Sequence, residues 1–132
     1  MRKLTKGEYK VMECLWNSEE EMNSNEIAEA LLNDKFSKPS VYKAIQSLEK
    51  EGFLTISSLE LIGKIYARNF VPAISRDDYL AFELKDKGAN LASMKNIYVA
   101  MLGMEKKKDK EEREALINDL QEIINSIRKR EK

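Results

Sequence analysis

Between Lys35 and Lys50 the chain carries four lysines, Lys35, Lys38, Lys43 and Lys50, with only Asp34 and Glu49 to oppose them. Projected at about 100° per residue, Val41, Ile45 and Leu48 fall on one side with Ala44 on their flank. Pro39, Lys43, Gln46, Ser47 and Lys50 take the opposite side, and Ser40 and Tyr42 lie between. Such a face has the chemistry to read duplex DNA. Lysine donates to guanine acceptors in the major groove, and glutamine pairs with both groups on the adenine edge. Serine and tyrosine hydroxyls suit phosphates, as does the start of the helix near Ser37 and Lys38, where free N–H groups favour an anion. The same residues also describe an ordinary solvated helix face, so their surroundings must decide.

Other chemistry is poorly provided for. The 132 residues include no histidine and one cysteine, Cys14, which excludes a disulfide framework and a Cys/His metal cluster. No glycine-rich phosphate loop or metal-ligand spacing is present, so no cofactor, no metal and no catalytic residue is expected. Cys14 sits beside an apolar helical stripe, where an inert thiol is expected. Lysine plus arginine equals aspartate plus glutamate at 23 each, so a nucleic-acid argument rests on where charge is placed, the acids clustering as in Glu19-Glu20-Glu21. No apolar run nears the roughly 20 residues that span a bilayer, and Met1–Lys6 precedes no apolar leader segment. A cytoplasmic protein without membrane insertion is expected.

Local signals place the candidate face within an ordered series of elements. Thr5 with Glu8, and Asn23 with Glu26, have the spacing of capping boxes and open two helices. The first carries Val11, Met12, Leu15 and Trp16 as a buried stripe; a polar loop is expected from Asn17 to Met22; the second carries Ile27, Ala28, Leu31 and Leu32. Ser37 caps the third helix, Pro39 falls in its first turn, and Gly52 stops it. Phe53–Ile56 and Lys64–Val71 then read as strands, with Ser57-Ser58 and Gly63 bracketing the tip. Helix, helix, helix, hairpin is the order of a winged helix-turn-helix domain, expected over residues 1–73. The tip, Leu59–Lys64, is largely apolar; Lys64 and, further along, Arg68 are its candidates for a phosphate contact.

Residues 74–132 read as a helical dimerisation region. Ser75 with Asp78 opens a helix bearing Tyr79 and Phe82, which Gly88 either breaks or weakens. Leu91, Met94, Tyr98 and Met101 form a stripe expected to close at Gly103, and Glu105–Lys108 reads as a solvated connector. Asp109 with Glu112 caps a last helix whose Leu116, Leu120, Ile123 and Ile127 alternate four and three apart, widened by Ile117 and Ile124. The fold class expected is mostly α with a small β-hairpin, a winged helix-turn-helix followed by C-terminal dimerisation helices.

The run Leu4-Thr5-Lys6-Gly7-Glu8-Tyr9-Lys10-Val11-Met12-Glu13-Cys14-Leu15-Trp16 resembles the opening helix of the penicillinase repressor family, which comprises the beta-lactamase, methicillin-resistance and copper-transport repressors. Asn23–Ile27 resembles its second-helix start. Ser37-Lys38-Pro39-Ser40-Val41-Tyr42, Ala44-Ile45, Leu48 and Lys50–Leu54 are similar to its recognition helix and first wing strand. The likeness covers roughly residues 4 to 85. It implies a homodimer on a palindromic operator in double-stranded DNA, joined by C-terminal helices, that blocks transcription. In several members a membrane-linked sensor triggers proteolysis at an Asn-Phe bond in the dimerisation region. This chain's only such pair, Asn69-Phe70, lies in the second hairpin strand, and it lacks the C-terminal cysteines of the copper-responsive branch. Tyr42 and Lys43 depart from the recognition residues of the resistance repressors, which implies a different operator.

Two alternatives stay open from the residues alone. One is a winged helix used only for protein contacts, against which the third-helix lysines count. The other is a small-molecule sensor in which Met94, Tyr98 and Met101 line a pocket, although such a stripe is more often core or interface.

Overall fold

The computed structural model describes residues 1–105 and 109–130; the lysines of the expected connector, 106–108, lie outside the described residues. The chain forms two compact units, Met1–Gly88 and Ala89–Lys132.

The first unit opens with helix α1 (Lys6–Asn17), and both halves of its capping box are formed. The Thr5 hydroxyl accepts from the Glu8 N–H at 3.2 Å, and the Glu8 carboxylate accepts from the Thr5 N–H at 2.9 Å. Helix α2 (Ser24–Ala30) begins with the matching Asn23–Glu26 box and ends in a short 3-10 turn, Leu32–Asp34. Helix α3 (Lys38–Lys50) is capped by Ser37 and terminated at Gly52, whose φ of +81° is readily available only to glycine. Val41, Ile45 and Leu48 of α3 are buried with Val11, Met12, Leu15, Ile27, Ala28 and Leu31. The three helices thus share one core, and the other side of α3 faces water.

Strands β1 (Met22–Asn23), β2 (Leu54–Ile62) and β3 (Ile65–Pro72) form an antiparallel sheet in the order β1-β3-β2. Two expectations are corrected here. The loop after α1 ends in β1, which pairs Met22 with Phe70 and Asn23 with Asn69; two residues are too few to make a period. The hairpin is longer than expected, because pairing continues through Leu59↔Arg68 to Ile62↔Ile65 and leaves only Gly63-Lys64 as the turn. Its serines mark a bulge between Ile56 and Ser58, where one extra residue bends the strand, rather than the edge of the tip.

Helix α4 (Arg76–Asp86) belongs to the first unit, so the division falls after Gly88 and not after residue 73. The reason is Tyr79, which is buried among Tyr9, Trp16, Phe53 and Phe82 with ring centroids 6.0 to 6.5 Å away. Its hydroxyl accepts from the buried Leu4 N–H at 2.9 Å. Gly88, at φ +105°, follows the helix and breaks it. In the second unit a 3-10 turn (Leu91–Ser93) leads into α5 (Met94–Met104), and α6 (Lys110–Arg130) follows. Gly103 does not close α5, which runs one residue beyond it to Met104. The Asp109 carboxylate accepts from the Glu112 N–H at 2.8 Å, so the cap expected for α6 is formed.

Candidate nucleic-acid interface

The outer side of α3 is built by its inner side. Burial of Val41, Ile45 and Leu48 fixes which residues turn outward, and Ser37, Lys38, Ser40, Lys43, Gln46 and Lys50 are all exposed. At the N-terminus the Ser37 hydroxyl caps the Ser40 N–H at 3.3 Å and donates to the Ser40 hydroxyl at 2.8 Å. Tyr42 is half-buried on the flank. Glu49 accepts from Arg68 of β3 at 3.3 Å, which offsets the one acid within the helix's cationic stretch. The Arg68 guanidinium also lies over the Phe70 ring, 5.6 Å from its centre. Arg68 is thereby brought to α3, whereas Lys64 is exposed in the hairpin turn. Around that turn Leu59, Leu61, Ile62, Ile65 and Tyr66 are exposed, Ile65 most of all at 75%.

Ser47 differs from its neighbours. It is half-buried, donates to Glu8 at 3.0 Å and accepts from Arg2 at 3.2 Å. Arg2 was not legible as a site residue. It grips Glu8 with two parallel bonds of 2.9 and 2.6 Å, bonds Glu51 at the end of α3, and lies 5.8 Å from the centre of the Phe53 ring. Glu8 is buried, yet the Arg2 guanidinium holds its carboxyl down at about 2 against the desolvation that would raise it, with the Thr5 N–H and the Ser47 hydroxyl assisting. The capping box marked Glu8 as a helix-start residue, but no sequence rule pairs position 2 with position 51. A cleft of about 550 Å³ adjoins this cluster, lined among others by Gly7, Phe36, Ser40 and Lys43.

A second cluster sets the hairpin. Glu21 accepts from the hydroxyls of Ser57 and Ser58 at the bulge and from the Asn69 amide at 3.3 Å, and these bonds hold its carboxyl below the usual range. Cys14 is half-buried against the Met22 sulfur at 3.7 Å, and burial pushes its thiol up, which suppresses the reactive thiolate. Asn69 and Phe70 are both buried in β3, which is paired on both edges, so their peptide bond is closed to a protease in the folded chain.

The residues expected at a dimer contact lie in the second unit. Leu91, Met94, Met101, Ile123 and Ile127 are exposed, while Tyr98, Leu116 and Leu120 are half-buried. Neither α5 nor α6 has a buried residue among those described. Among the described residues, no helix is long and apolar enough to cross a membrane, and no group of three His, Cys, Asp or Glu side chains is placed to hold a metal ion.

Three helices on one core, the third with a cationic outer face, and a hairpin tied to that helix through Arg68 define a winged-helix DNA-binding domain. The sequence profile of the penicillinase repressor family matches residues 4–124. The chain therefore belongs to the penicillinase repressor family and is a DNA-binding transcriptional repressor. No curated protein sequence matches it. Among solved structures it is similar to a mutant of MepR from a multidrug-resistant S. aureus clinical isolate, at 14% identity and a TM-score of 0.46, over 95% of this chain and 80% of that one. It is also similar to the adhesin competence repressor AdcR of Streptococcus pyogenes (20% identity, TM-score 0.41, 95% and 81% covered). A third is Bacillus subtilis PadR in complex with operator DNA (16% identity, TM-score 0.44, 86% and 66% covered).

Proposed function

We propose that the protein is a homodimeric, sequence-specific repressor of the cytoplasm that binds a palindromic operator and has no catalytic activity. The observation that carries this reading is the outer face of α3, where Lys43, Gln46 and Lys50 stand exposed on a helix fixed by its buried side. Lys43 and Gln46 reach base edges; Ser37, Lys38, Ser40, Tyr42 and Lys50 hold the flanking phosphates. Arg68 and Lys64 serve the backbone beside the hairpin, Arg68 by exchanging Glu49 for a phosphate. Ser47, whose hydroxyl is engaged by Glu8 and Arg2, contributes to the face by its position rather than as a free donor.

Dimerisation is read from the apolar, exposed α5 and α6. Leu91, Met94, Tyr98 and Met101 on one side, and Leu116, Leu120, Ile123 and Ile127 on the other, need a covering surface, and a second copy supplies one of matching chemistry. A dimer also sets two reading helices about one helical turn of DNA, or a multiple of it, apart. Release by a sensor or protease would have to act elsewhere than at the buried Asn69-Phe70 bond.

Selection of bound duplexes from a random pool tests the reading directly. Enrichment of two inverted half-sites is the expected result. Enrichment of a single unpaired site would remove the dimer on DNA, and no enrichment at all would remove sequence-specific recognition.

A further inference from the structure

We propose that Arg2 and Glu8 are positioning residues for DNA recognition: together they lock the rotation of α3 about its own axis, through Ser47 and Glu51. The inference rests on α3 being the reading helix. Its buried side consists of Val41, Ile45 and Leu48, and apolar burial has no direction. Such packing fixes which side of the helix turns outward, but it makes no directional bond at the edge of the reading face, whereas base-edge recognition requires donors aimed to within a fraction of an ångström. Directional contacts must supply the difference. Ser47 lies four residues after Lys43 and three before Lys50, so it shares their strip of the helix surface. Its hydroxyl donates to Glu8 at 3.0 Å and accepts from Arg2 at 3.2 Å.

The anchor behind Ser47 is itself fixed. Glu8 is held to the start of α1 by its bond from the Thr5 N–H at 2.9 Å and to Arg2 by a planar two-bond fork. Arg2 reaches past Ser47 to Glu51, the residue that caps the end of α3, and packs over Phe53 just beyond it. One guanidinium thus ties the beginning of α1, the flank of α3 and the start of the hairpin. Lysine could replace its charge but not its fork.

The test uses the full-length chain, a selected operator duplex and a scrambled duplex, each titrated across a salt series. Arg2→Gln is expected to lower the operator-to-scrambled affinity ratio by about tenfold or more while leaving scrambled-duplex affinity and its salt slope unchanged, because phosphate neutralisation is not what is lost. Arg2→Lys is expected to restore only part of the ratio. Ser47→Ala, which leaves the Arg2–Glu8 pair and the Arg2–Glu51 bond intact and removes only the bonds to the flank of α3, is expected to lower the ratio several-fold even if Arg2→Gln folds poorly.

An unchanged ratio in Ser47→Ala, or in a folded Arg2→Gln, overturns the inference while leaving α3 as the reading helix. So does an equal loss on both duplexes with a salt slope smaller by about one, which would make Arg2 a phosphate contact. A wild-type chain that prefers no duplex overturns the DNA-reading assignment as well, and is distinguished by that control alone.

Discussion

Lys43 is exposed on α3 and takes part in no ion pair among the described residues, so its charge is available to a ligand. Lys43→Ala should weaken operator binding by roughly 1–3 kcal/mol and broaden the base preference at one position in each half-site. Competition between duplexes differing at single positions measures this. Equal weakening on every duplex would make Lys43 a backbone contact, and no weakening would strip α3 of the reading role. Glu8 gives a second expectation at the same scale, on stability rather than binding. Its folded pKa of about 2 lies below its ordinary value of 4.5, so the stabilising effect is fully present above that ordinary value. It is lost as pH falls from about 4.5 through about 2. The contribution is on the order of 2–3 kcal/mol, discounted because Arg2 is partly exposed. Denaturant unfolding of Glu8→Gln should show less acid sensitivity across that window than the wild type. Equal acid loss in both proteins would show that other carboxylates dominate.

At the scale of elements, α4 is held by a contact that links distant parts of the chain. Tyr79→Phe keeps the ring among Tyr9, Trp16 and Phe53 but leaves the Leu4 N–H without its acceptor. A buried donor left unmatched costs about 1–3 kcal/mol, so the urea midpoint should fall with the slope unchanged. An unmoved midpoint would mean that water takes the acceptor's place. The sequence was informative wherever an element announces itself through neighbours three or four residues away. Thr5 with Glu8, Asn23 with Glu26, Ser37 with Pro39 and Ser75 with Asp78 all cap helices as their spacing indicates. The buried side of α3, and hence its exposed candidate face, followed from periodicity alone. What escaped is set by partners far away in the chain. Met22–Asn23 becomes a strand only because β3 offers it an edge, and the hairpin extends because Leu59–Ile62 find Ile65–Arg68 opposite them. Arg2 acquires its role from residues 6, 45 and 49 positions away. Tyr79 likewise moves the division of the chain to Gly88, since a helix read as the start of the appendage fills the core of the first unit.

Over the whole molecule, the two units divide the apolar surface unequally. Among the described residues, Met1–Gly88 contains every buried hydrophobic side chain, from Leu4 to Tyr79, and so carries a core of its own. In residues 89–130 the large apolar side chains are exposed or half-buried, Leu91 and Met104 being 91% and 83% exposed. A surface of that extent is rarely left to water in a protein that stays dispersed. The two units should therefore respond differently to truncation. A chain ending at Gly88 keeps Tyr79 and its bond to Leu4, so it should fold, sediment as a monomer and bind a half-site weakly. One ending at Val71 loses Tyr79 and Phe82, opens the core beside Tyr9, Trp16 and Phe53, and should be markedly less stable. The full chain should sediment as a dimer, and Ile123→Glu with Ile127→Glu should shift it to monomer without lowering the stability of the first unit. Each substitution places a charge on an exposed apolar position of α6, a helix that has no buried residue among those described. Sedimentation at roughly tens of micromolar, about the loosest affinity useful to a repressor, decides the matter. A wild-type monomer there would remove the dimer and the palindromic operator together, whereas a dimer that persists in the double variant would move the interface away from α6.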